Sequence, residues 1–275
     1  MSIAQANGTN LAYITSLLPS PKIGQYPKTV RGGGLRLLRL GSIEERKTMC
    51  QLPDSASPII AFENVSFNHA GRELHGISFA AYAGRVTVLM GAHDAGKTTV
   101  LRMLLGLDIP DSGCISTCGK PYGTSRIPKN VVSAMPEAIS RSPYYSAGTY
   151  LRWKALWAGT PDPLLDGIIH MTELQNLLTV KLHALAPIGV LKMRFAIALL
   201  PNPKALIMDE PLQTLDRSGT NWICEQIRKQ ANRGVAVLIA SEPDSRLRPI
   251  TDDVVVLDKG TVVKEGSRGQ LWKED

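Results

Sequence analysis

The sequence predicts an α/β protein: a mostly parallel sheet around a phosphate-binding loop, with an antiparallel β subdomain on one side and an α-helical subdomain on the other. Three observations carry this reading. Gly91-Ala92-His93-Asp94-Ala95-Gly96-Lys97-Thr98-Thr99 fits G-x-x-x-x-G-K-[ST], and it sits between an apolar strand (86–90) and an apolar helical stretch (100–107). A second apolar run, Ala205-Leu206-Ile207-Met208, has the character of a buried parallel strand and ends on Asp209-Glu210-Pro211. Strand-like runs precede the loop, and a long segment poor in strand signals, 138–200, separates the two motifs.

Taken along the chain, order is expected to begin at Ile59. Residues 59–67 read as a strand, Ala70-Gly71-Arg72 as a turn, and 75–82 as a second strand. Gly84 turns the chain into the strand before the phosphate loop. After the helix, Asp111-Ser112-Gly113 is a turn and 114–118 a short strand. The middle segment carries helical patches at 150–157 and 164–178. A helix is expected at 221–232 and a buried strand at 235–239. A hairpin closes the pattern, with strands 254–257 and 261–265 around Asp258-Lys259-Gly260. Residues 1–57 are rich in Pro, Gly and Ser and are read as a basic, disordered extension to an ordered domain at 58–275. Their one amphipathic stretch, 35–40, is too short to stand as a helix in water.

Composition narrows the classes of function. At 275 residues the chain is long enough for one large domain or a domain with a sizeable subdomain. No apolar run approaches the roughly 18–20 residues that span a bilayer, and no apolar core near the start resembles a secretory signal. Any membrane work is therefore expected to pass through a partner. Formal net charge is +7, and residues 1–58 hold +4 of it. A basic excess concentrated there is not a nucleic-acid-binding face, so no nucleic-acid partner is expected. An acid-poor, basic leader also fits a transit peptide or a misplaced start codon, and those alternatives stay open at this point. The four cysteines are read as small packing residues with reduced thiols, not as metal ligands.

The chemistry lies in the two motifs. Glycines at 91 and 96 let the backbone close around phosphate oxygens. Successive amides and the helix N-terminus, across Gly91, Ala92, His93, Asp94, Ala95, Gly96, Lys97, Thr98 and Thr99, present partial positive charge to an anion. Lys97 is expected to reach the β- and γ-phosphates of ATP, and the Thr98 hydroxyl to bind Mg²⁺. An acid delivered by a buried strand beside that loop suits the same cation: Asp209 organises Mg²⁺, and Glu210 orients and deprotonates the attacking water.

With both motifs in place, the chain from about residue 59 onward resembles the nucleotide-binding subunit of an ATP-binding cassette (ABC) transporter. The resemblance implies a P-loop NTPase core of the ABC type, ATP and Mg²⁺ as ligands, and ABC-type ATPase activity. Leu215-Asp216 is similar to the family's D-loop. Met135-Pro136-Glu137 falls at its Q-loop, with Glu137 in place of glutamine and still able to accept a magnesium-bound water. His69 falls where the family stacks an aromatic ring on adenine. Two departures stand out. The family's signature loop aligns with Leu185-Ala186-Pro187-Ile188-Gly189, where Ala186 has no hydroxyl and Pro187 no N–H. The family's switch histidine aligns with Glu242 in Ala240-Ser241-Glu242-Pro243-Asp244, and an ionised carboxylate cannot donate to a γ-phosphate.

The resemblance further implies a homodimer or heterodimer with another ABC cassette and an integral membrane permease subunit as partner. It places the chain in the cytoplasm, peripheral at the inner face of the cell membrane. The short single-cassette layout resembles exporters of the drug-and-antibiotic type. Tyr144, Tyr145, Tyr150, Trp153 and Trp157 fall where that permease docks, and 150, 153 and 157 recur on one helical face, a pattern that fits either an ordinary buried helix face or an interface. The degenerate loops imply weak hydrolysis, or a regulatory cassette that binds ATP without useful turnover.

Overall fold

The computed structural model describes residues 57–69, 71–121 and 130–271. The extension expected at 1–57 lies outside them, Ser57 excepted, as does Ala70 of the first turn.

β1 (Ile60–His69) and β2 (Arg72–Ala81) pair antiparallel and set Phe62 opposite Phe79, whose rings stack at 4.7 Å. β4 (Ser112–Thr117) pairs with the other edge of β1, and β5 (Lys120–Pro121) follows it, giving the order β2-β1-β4-β5. The second sheet is built from β3 (Val86–Met90), β6 (Val132–Ala134), β7 (Ala205–Asp209), β8 (Ala236–Ser241), β9 (Asp253–Asp258) and β10 (Thr261–Ser267). Its order is β10-β9-β3-β8-β7-β6, parallel throughout except for β10. Near-continuous apolar runs in β3, β7 and β8 are what a sheet covered on both faces requires.

The two faces bury different cores, and the strands alternate between them. Leu89, Ile207 and Leu238 pack with the antiparallel sheet and α1 (Lys97–Leu104). Val88, Met208 and Ile239 pack with α2 (Ala147–Ala158), α3 (Asp162–Met171), α4 (Pro187–Leu199) and α5 (Arg217–Asn232). A last short helix, α6 (Arg268–Leu271), follows β10. This arrangement fixes the site. Register places Met90 beside Ser241 and Asp209 beside Ala240, so β3, β8 and β7 release their following loops at one edge. That edge, at the carboxyl ends of parallel strands, is where open α/β sheets bind ligands.

Local signals explain the helix ends. Ser146 Oγ accepts from the Thr149 amide at 3.2 Å at the start of α2, and left-handed Gly159 stops that helix. Asp216 caps α5 by accepting from the Gly219 amide at 2.7 Å, which starts it four residues before the expected 221. The helix expected at 164–178 splits: α3 ends at Met171, Glu173 takes φ 54°, and a 3₁₀ turn follows at Gln175–Leu177. β6 is three residues long, too short for a periodic signal in the sequence. Cys114 is disulfide-bonded, which corrects the expectation that all four cysteines are reduced; Cys118 and Cys224 carry free thiols. Among the described residues no helix is long and apolar enough to cross a membrane.

Candidate nucleotide site

The loops after β3, β7 and β8 converge on a cleft of about 980 Å³. Gly96 enters α1 at φ 102°, a conformation that only glycine adopts without strain, and a Cβ there would lie 2.5 Å from Leu74 Cδ2. Gly91 admits no side chain for a different reason: its Cβ would lie 2.5 Å from the Leu257 carbonyl oxygen. Lys97 folds back beneath the loop, and Nζ donates to the carbonyls of Gly91 at 2.8 Å and Ala92 at 2.9 Å. Its side chain is 7% exposed and lies 3.6 Å from Glu210 Oε1. Ala95 is buried, and its carbonyl accepts from the Gly260 amide at 3.1 Å, tying the loop to the β9–β10 hairpin.

Asp209 and Thr98 meet directly, with the hydroxyl donating to Asp209 Oδ2 at 3.0 Å. Burial pushes the Asp209 carboxyl above the usual range; the Thr98 hydrogen bond opposes this, and the neighbouring Glu210 charge reinforces it. Its second oxygen, Oδ1, is buried without a hydrogen-bond partner. An orphaned buried carboxylate oxygen beside a threonine hydroxyl, with Glu137 lining the same cleft, is an oxygen-only donor set that suits a hard divalent cation. Among the described residues no group of three or more His, Cys, Asp or Glu side chains could hold a metal.

Glu210 sits at φ 46°, a left-handed conformation costly for a residue with a side chain. Its amide donates to Ala240 at 2.9 Å, and its carboxylate accepts from the Glu242 amide at 3.0 Å and from Ser241 Oγ at 3.3 Å. Glu210 is thus pinned to the end of β8. Glu137 lies across the cleft, held near Arg194, whose guanidinium donates to the Pro136 carbonyl at 2.7 Å. Burial lowers the Arg194 pKa and the Glu137 charge partly restores it.

Other expected residues fall less directly on the site. His69 is exposed, its ring 6.4 Å from Phe67, and it is not on the cleft wall; Gly71, Arg72 and Glu73 of the same turn are. Residues 185–189 do not line this cleft either. They open α4 with Pro187 at its first turn and Ala186 at the N-cap, where no side chain caps the free amides. His93, Asp94 and Glu242 crowd the mouth of the phosphate loop. The proximity of His93 to Glu242 is not legible in the sequence, because the two come from different strand ends 149 positions apart.

A family model described as ABC transporter matches residues 74–213. The chain belongs to the ABC transporter family. The Nod factor export ATP-binding protein I of Burkholderia lata is 30% identical over 224 residues, covering 78% of this chain and 73% of that protein. Its counterpart in Ralstonia nicotianae is 27% identical, with 78% and 69% covered. Solved structures agree at the level of fold. An ATP-binding subunit of an ABC transporter superposes with TM-score 0.68 at 21% identity, covering 77% of this chain and 91% of that one. A bacterial Atm1-family ABC exporter with ATP bound gives 0.65 at 23% identity, covering 78% and 40%. This chain is an ATP-binding ABC transporter subunit with relatives of the export type, and its family's activity is that of an ATPase.

Within this ABC subunit, α2 carries a second surface feature. Ala147, Gly148, Leu151 and Ala155 are buried, while the opposite face exposes Trp153 at 45%, Trp157 at 51% and Leu156 at 80%. Tyr150, Trp153 and Trp157 form a run of ring contacts at 6.0 and 5.9 Å, with the Lys154 ammonium over the first two rings. Tyr144 and Tyr145, just before α2, are exposed as well. The aromatic face is not an ordinary core-facing helix.

Proposed function

We propose that this subunit binds magnesium-ATP at the cleft, powers export through a separate membrane permease, and hydrolyses ATP slowly for the family. The convergence of Lys97, Thr98, Asp209 and Glu210, with Asp209 Oδ1 left unpaired, carries the reading. Lys97 would neutralise phosphate charge from below the loop. Thr98 and Asp209, with Glu137 opposite, would hold the cation, which when bound offsets phosphate charge. Glu210 would orient the attacking water and take its proton on a carboxylate oxygen.

Residues 185–189 lie outside the chain's own cleft, which fits a role toward a nucleotide held by another cassette. This supports a homodimer or heterodimer in which α4 points its N-terminus at the other subunit's ATP. Without a capping hydroxyl, and with proline in the first turn, that terminus is a weak clamp. Glu242 adds a carboxylate near the expected γ-phosphate, and repulsion at ~4 Å reaches ~4 kcal/mol at an effective dielectric near 20. The exposed aromatic face of α2 is the proposed docking site for the permease, because aromatic side chains dominate interface hot spots. Docking there would hold the subunit at the inner face of the membrane. The uncapped α4 favours a second reading, a regulatory cassette that binds ATP without useful turnover.

Steady-state phosphate release by the purified chain, beside its E242H and A186S/P187G variants, tests the proposal. Slow wild-type turnover that rises in the variants supports it. Wild-type turnover at ordinary cassette rates overturns the slow-hydrolysis reading, and turnover absent in every variant favours the regulatory cassette.

A further inference from the structure

A second cavity, of about 610 Å³, shares one residue, Arg246, with the nucleotide cleft. Its size suits a small organic ligand. The first two turns of α5 form one wall, and the 3₁₀ segment Ser245–Ile250 forms the other. Cys224, Pro249 and Ile250 give it an apolar lining. Burial pushes the Cys224 thiol up to about 11, so the sulfur stays neutral. The walls are tied in place. Cys224 Sγ donates to the Arg246 carbonyl at 3.8 Å, Arg228 donates to the Ile250 carbonyl at 3.3 Å, and Arg268 donates to the Pro249 carbonyl at 3.4 Å.

Two guanidinium groups line this cavity, and only one is matched. Arg246 pairs with Asp244 at 2.7 Å and donates to Thr220 Oγ1 at 3.3 Å. Arg217 is exposed, and among the described residues its side chain has neither an ion pair nor a hydrogen-bond partner. The cavity therefore joins one uncompensated positive charge to an apolar lining. That combination selects a monoanion with an apolar body. A neutral ligand gains no charge-assisted hydrogen bond from Arg217, and a compact anion leaves the apolar wall in water.

Arg246 connects the two cavities. Its guanidinium also reaches the Leu212 carbonyl at 3.5 Å, and Leu212 and Asp244 both line the nucleotide cleft. A carboxylate arriving at Arg246 competes with Asp244 for the same N–H donors. Asp244, so released, adds negative charge to a cleft that already holds Asp209, Glu210 and Glu242.

We propose that this cavity is an effector site for a small monocarboxylate with an apolar body: Arg217 and Arg246 take the head group, Cys224, Pro249 and Ile250 take the body, and filling the site weakens nucleotide binding next to it. The coupling, though not the cavity's own ligand, rests on the reading of the larger cleft as an ATP site.

Calorimetric titration of the full chain with octanoate, octanol and acetate tests it. Octanoate should bind, with octanol and acetate each weaker by about 10-fold or more, the usual loss for a charge-assisted hydrogen bond or for an apolar body of this size. R217A should weaken octanoate by about 10-fold or more. N221W, which fills the cavity from an exposed position on α5, should abolish octanoate binding. Both variants should bind magnesium-ATP as the wild type does, which shows that they are folded. Saturating octanoate should weaken magnesium-ATP by about 5-fold or more in the wild type, an ordinary coupling between sites, and leave N221W unaffected. Equal binding of octanoate and octanol, or octanoate affinity unchanged in R217A or N221W, overturns the site. ATP affinity that is the same with and without octanoate overturns the coupling. Octanoate binding in a wild type that fails to bind ATP would support the site and overturn the reading of the larger cleft instead.

Discussion

Two helix N-termini of this protein make opposite uses of the same physics. α1 opens on a glycine at φ 102° with Lys97 and Thr98 in its first turn, beside the Asp209 carboxylate. α4 opens on Ala186 and Pro187 with its cap unfilled. Both present free amides and a partial positive charge. The first is built into the core: a Cβ at Gly96 would strike Leu74, and the Ala95 carbonyl is tied to Gly260. Change there disturbs the fold as well as the site. The second is exposed at Ala186 and Pro187, and proline at the start of a helix is structurally comfortable. The α1 end is therefore bound to the fold, whereas the α4 end can change chemically while the helix stays intact.

The largest effect expected from breaking this contrast is a gain. Giving α4 a cap and the β8 end a donor, in A186S/P187G combined with E242H, should raise ATP turnover by roughly 10²–10³-fold, the usual worth of one well-placed transition-state donor. Phosphate release measures it, and an unchanged rate would mean the exposed end is not what limits the chemistry. Breaking the intact end should cost binding: K97A should weaken magnesium-ATP by about 10²-fold, read by calorimetry. Identical heats from K97A and wild type would remove the basis for the site. Truncating the exposed face of α2 in W153A/W157A should weaken association with the permease by about 2 kcal/mol or more, while ATP affinity stays as in wild type. Co-purification with the membrane subunit, next to calorimetry, checks both halves. The smallest effect tests capping alone. D216A removes the bond to the Gly219 amide and should cost about 1 kcal/mol. For a domain of this size that lowers Tm by roughly 2–4 °C.

The comparison also shows what could be read in advance. The phosphate loop, β3 and β7 were legible because buried strands and glycine turns obey local rules that a motif captures. The start of α5 was not placed well, because its boundary is set by one Asp216 hydrogen bond and not by apolar periodicity. His69 was expected against adenine, yet the wall of the cleft at that turn is Gly71-Arg72-Glu73. A side chain at a strand end points by the pleat and by its packing partner, here Phe67, and neither is visible in the spacing of a motif.

From its residues alone, the α/β class, the phosphate loop and the acid pair at the end of a buried strand could be derived, because each is a short run of neighbours in the chain, whereas the two departing loops came only from the resemblance to the family. Only the folded molecule decided that β8 lies between β3 and β7. That placement brings Glu242 to His93 and ties its amide to Glu210. It also turned the aromatic side of α2 outward, by burying Leu151 and Ala155 against the helical core. Strand order and helix orientation are settled by which apolar faces meet across the whole chain, and those contacts leave no local trace in the sequence.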